Sequence, residues 1–138
     1  MATVNADELE NAMILADPPR AGRAWVDPRS GTVLVRADMV GSHDRLPDDI
    51  REEGRYLPVP GLGRLGLGQA LVRDFVREHM PGDEDAVAGM LRGAGGFERF
   101  AKLADSRGLL ARWHAFRQAR TLAAMRAWCE EHGLALSA

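Results

Sequence analysis

Strand-type and helix-type residues are sorted along this chain rather than interleaved, and that order constrains the fold more than any other feature. The residues read as strand-type, Trp25, Val26, Val33, Leu34 and Val35, all fall before residue 60. From Gln69 onward, apolar residues recur at helical spacing between glycine and proline breaks. Strands followed by a run of helices predict an α+β class, here a small antiparallel sheet in the N-terminal half packed against a helical C-terminal half. A chain of 138 residues fits a single domain over 1–138, divided into a helix-plus-sheet part (1–68) and a helical part (69–138).

The elements follow from local signals. Asn5 caps a helix over about Ala6 to Ala16, with Glu8 placed for a capping box and Leu9, Met13 and Ala16 on one face. Asp17-Pro18-Pro19 ends it. Ala24–Asp27 and Thr32–Arg36 pair as a hairpin across Pro28-Arg29-Ser30-Gly31, with Gly31 suited to positive φ. Leu46–Glu53 reads as a short helix. Arg55–Val59 reads as a third strand, which Pro58 confines to an edge. Five helices complete the prediction: Gln69–Met80; Glu84 to about Arg92 with Asp83 as cap; Phe97–Ser106 with Phe97, Phe100 and Leu103 inward; Leu109–Gln118; and Thr121–His132, closed by Gly133.

Composition narrows the chemistry. Cys129 is the only cysteine, so neither an internal disulfide nor a cysteine-rich zinc site is possible. The opening residues carry Asp7, Glu8 and Glu10 where a secretory leader has basic residues, and no apolar run approaches the ~18 residues of a membrane span. A cytoplasmic setting without membrane association is expected. The net charge of -2 conceals an uneven distribution: residues 97–128 hold seven basic and two acidic side chains. Of the 18 basic residues, 17 are Arg.

Each motif has a plain structural reading. Gly61-Leu62-Gly63-Arg64-Leu65-Gly66 matches G-x-G-x-x-G before a helix, but the preceding segment holds Pro58 and Pro60 and no parallel strand follows, so a loop is expected rather than a dinucleotide site. Ser42-His43-Asp44 has triad residue types in adjacent positions that cannot converge, and reads as a turn. His43, His79, His114 and His132 are scattered, and no metal or cofactor site is expected. Asp48, Asp49, Glu52 and Glu53, interleaved with Arg45, Arg51 and Arg55, read as a salt-bridged helix face. Cys129 beside Trp128 reads as a buried hydrophobe. Arg99, Lys102, Arg112, Arg117, Arg120 and Arg126 form a basic segment whose neighbouring aromatics are spaced as core side chains.

Several stretches together resemble a group of small bacterial proteins known as uncharacterised protein family one-five-eight. They are Trp25-Val26-Asp27-Pro28-Arg29-Ser30-Gly31-Thr32-Val33, Arg55-Tyr56-Leu57-Pro58-Val59-Pro60, Asp74-Phe75-Val76, Gly93-x-Gly95-x-Phe97-x-Arg99-Phe100, Arg112-Trp113-His114-Ala115-Phe116-Arg117 and Trp128-Cys129-Glu130-Glu131-His132-Gly133-Leu134. The resemblance implies a fold and no activity, cofactor or catalytic residue. Three functions remain open at this stage. The first is a non-enzymatic binding or regulatory module for a protein partner. The second is a nucleic-acid-associated module using Arg112, Arg117 and Arg120, with Arg99 a further candidate binding residue. The third is an enzyme with an unrecognised site, for which Asp27, Arg55 and Tyr56 are the first residues to replace.

Overall fold

The computed structural model describes residues 1–17, 22–36 and 46–137. In chain order the elements are β1 (Thr3–Asn5), α1 (Ala6–Ala16), β2 (Arg23–Val26), β3 (Val33–Arg36), β4 (Leu57–Pro58), α2 (Gln69–His79), α3 (Glu84–Leu91), α4 (Gly96–Ser106), α5 (Leu110–Glu131) and β5 (Ala135–Ser137). The class is α+β. The Pro18-Pro19 stop and the Ser42-His43-Asp44 turn lie outside the described residues.

The chain divides into two compact units. One comprises Met1–Leu65 with Thr121–Ala138, the other Gly66–Arg120. In the first unit, β3, β2 and β4 form an antiparallel sheet in that order, with Trp25 opposite Leu34 and Pro58, and Val26 opposite Val33 and Leu57. Pro58 sits on an edge strand, where its missing N–H leaves no gap in a ladder. A second sheet pairs β1 with β5 in parallel, Thr3 beside Ala135 and Asn5 beside Ser137. Val4, Leu9, Met13, Val26, Trp128 and Cys129 are among the buried residues of this unit's core. Asn5 caps α1 as expected, its Oδ1 accepting the Glu8 N–H at 3.0 Å.

Gly31 fixes the geometry of the hairpin. Its φ is 79°, and a Cβ there would lie 2.1 Å from the Thr3 carbonyl oxygen. The hairpin tip therefore rests on the backbone of β1, and only glycine permits both the conformation and the approach.

The second unit is helical. Phe75 on α2 is fully buried, with ring centroids of Trp113 at 5.3 Å, Phe116 at 5.4 Å and Phe100 at 6.2 Å, all edge-on. Edge-to-face packing adds about 0.5–1.5 kcal/mol per pair to the burial itself. His79 stacks against the same Phe75 ring at 4.7 Å.

Five expectations need correction. First, Leu46–Glu53 forms no helix. It makes successive turns through Ile50 N–H to Pro47 O, Glu52 N–H to Asp49 O and Arg55 N–H to Glu52 O, because Asp48 and Asp49 favour turns and the Asp49 side chain is drawn elsewhere. Second, the two closing helices are one. Gln118 to Ala123 contains no glycine or proline, and α5 continues through it. What changes there is the buried face, with Trp113 in the second unit's core and Met125, Trp128 and Cys129 in the first unit's. Third, Phe97 is 51% exposed rather than inward. Gly96 takes the core position of α4, a Cβ there falling 2.4 Å from the Met90 carbonyl oxygen, and the buried stripe runs Gly96, Phe100, Ala104. Fourth, Asp83 does not cap α3 with its side chain. Its carboxylate instead receives Arg107 through Nη2 at 2.9 Å and Nε at 3.2 Å. The third strand is also shorter than expected, Leu57–Pro58.

Replacing Gly31 by Ala is expected to destabilise the protein by about 2–3 kcal/mol in urea unfolding, since strain and backbone overlap coincide. Gly54 has a φ of 78° with nothing within 4 Å of a Cβ. Gly54→Ala is therefore expected to cost only about 1 kcal/mol, the left-handed strain alone.

Candidate functional site

Asp27, Arg55 and Tyr56 come together in the first unit. The hairpin turn places Asp27 at the end of β2, and the segment leading into β4 brings Arg55 and Tyr56 to it. Arg55 grips Asp27 with both ends of its guanidinium, Nη1 to Oδ1 at 2.8 Å and Nη2 to Oδ2 at 3.3 Å. Its Nε lies 3.5 Å from Asp49 Oδ2. Tyr56 donates its hydroxyl to Asp49 Oδ1 at 2.7 Å, and the Arg55 guanidinium lies 4.3 Å from the Tyr56 ring centre. Asp27 Oδ1 also accepts the Arg29 N–H at 2.9 Å. Sequence reading grouped Asp49 with Arg55 in a salt-bridged acidic run but did not join it to Tyr56 and Asp27. Asp49 was one of four carboxylates in an acidic run, with no signal marking it as the one that turns inward.

The electrostatics follow from this wiring. The Arg55 hydrogen bonds hold the Asp27 carboxyl down at about 2, against the opposing effect of partial burial. The same bonds raise the Arg55 guanidinium further. The hydrogen bond to Asp49 and loss of water raise the Tyr56 hydroxyl. Asp27 is therefore ionised throughout the neutral range and has no proton to give. Bidentate pairing spends both carboxylate oxygens of Asp27 on Arg55, and the Tyr56 hydroxyl is spent on Asp49. The cluster fastens the 46–56 segment to the hairpin.

The glycine-rich motif is likewise bonded within the first unit. Gly63 N–H donates to Asp17 Oδ1 at 2.9 Å, and a Cβ on Gly61 would lie 2.9 Å from the Asp17 Cα. Leu62–Leu65 is a short 3-10 turn. An amide that a phosphate would need already holds a carboxylate, and the first glycine serves close packing on the end of α1. Cys129 is 1% exposed and burial pushes its thiol up, so it packs as a hydrophobe. Among the described residues, no group of three or more His, Cys, Asp or Glu side chains is placed to hold a metal ion. No helix among them is long and apolar enough to cross a membrane.

Several basic residues of the second unit face solvent with no ion pair to any described residue. Arg107 is paired with Asp83. Arg120 lies 3.7 Å from Asp74 and 5.0 Å from the Phe116 ring centre. Arg99 and Lys102 on α4, and Arg112 and Arg117 on α5, are exposed and form no ion pair with any described residue. At 100° per residue, Arg112, Arg120 and Arg117 fall within an arc of about 140° around α5. Arg126 lies in the part of α5 that belongs to the first unit.

Asp27→Asn is expected to lose stability near neutral pH. The sign follows from the depressed value: the Asp27 contribution is full above its ordinary value of 3.8 and is lost as pH falls through about 2. In urea unfolding, the stability gap between wild type and Asp27→Asn is expected to be constant above pH 5 and to shrink progressively below 3.8. A gap independent of pH across that range would show that the pair does not form. Comparison of the chain with protein-family models, with curated proteins and with solved structures finds no match.

Proposed function

We propose that this chain is a non-enzymatic binding module that recognises an acidic surface on a protein partner through Arg99, Arg112 and Arg117. The observation that carries this is the contrast between its two sets of charged side chains. Asp27, Arg55, Asp49 and Tyr56 are bonded to one another, whereas the basic residues of α4 and α5 are exposed and, apart from Arg107 and Arg120, unpaired among the described residues. Arginine on a rigid helix offers a planar fork that pairs with carboxylates at low ordering cost. Phe97, exposed at the start of α4, adds an apolar side chain of the kind that anchors interfaces.

A protein partner suits these features better than nucleic acid. Phe75, Phe100 and Trp113 are committed to the core and cannot stack on bases. The chain is acidic overall, so long-range attraction to a polyanion is weak. The resemblance to family one-five-eight adds a fold and no activity, which is compatible with this reading.

The test is affinity capture with the full chain from its own host, comparing wild type with the triple charge reversal Arg99→Glu, Arg112→Glu, Arg117→Glu. Retention of one partner is expected with wild type, unaffected by nuclease. Loss of at least about tenfold is expected with the variant, three surface ion pairs contributing up to about 1 kcal/mol each. Capture that survives the reversal defeats the proposal. Nuclease-sensitive retention, with affinity falling steeply in salt, would replace it with the nucleic-acid reading.

A further inference from the structure

We draw no further inference here: the strongest candidate, the N-terminus of α4, which no side chain caps and where the Arg99 guanidinium lies over Gly93, is a helix end with no buried, unpartnered polar side chain aimed into it among the described residues, and its arginine already belongs to the surface assigned to the protein partner.

Discussion

The missing side chain of Gly31 governs how the first unit closes. Its α-carbon rests against the Thr3 carbonyl, so the tip of the β2–β3 hairpin and the backbone of β1 share one narrow contact. β1 in turn holds β5 through the Thr3–Ala135 to Asn5–Ser137 register. One glycine therefore couples the antiparallel sheet to the parallel pair. Bidentate Arg55–Asp27 bonding then fixes the opposite side of the same turn to the segment before β4. A backbone constraint at Gly31 and an ion pair at Asp27 flank three residues of hairpin, Pro28–Ser30.

That arrangement explains why Asp27, Arg55 and Tyr56 can be singled out in sequence and still not form a reactive site. Their chemistry is directed at each other. A carboxylate held near 2 by a guanidinium is a strong clamp and a poor proton donor. In the second unit, Arg99, Lys102, Arg112 and Arg117 are exposed on helices whose buried faces are occupied by Phe100 and Trp113.

The parts of the fold that sequence made legible are those set by neighbours. The Asn5 cap, the Gly31 turn, the edge placement of Pro58 and the bounds of α2 each depend on residues within a few positions. What escaped depends on distant partners. β1 and β5 are three residues long, and neither signals a strand until the other arrives from more than a hundred residues away. Asp83 looks like a cap until Arg107 reaches it. Phe97 looks like core because periodicity counts side chains, while Gly96 fills a core position by having none. The change of buried face along α5 mimics a helix break, because apolar periodicity reports a change of phase in the same way as an interruption. Among candidate site residues, the sequence marked three of the four in the Asp27 cluster.

The division of the chain has a consequence for the order in which its cores can form. The first unit is built from both terminal segments, and the second lies wholly inside, between Gly66 and Arg120. Every residue of the Phe75 core precedes Thr121 in the chain, so that core can consolidate without the segment that completes the first unit. The first unit must wait for Met125, Trp128 and the closing strand. Until then Val4, Leu9 and Val26 lack part of their cover. Val4, Leu9 and Val26 are thus fully enclosed only when the segment from Thr121 onward joins them.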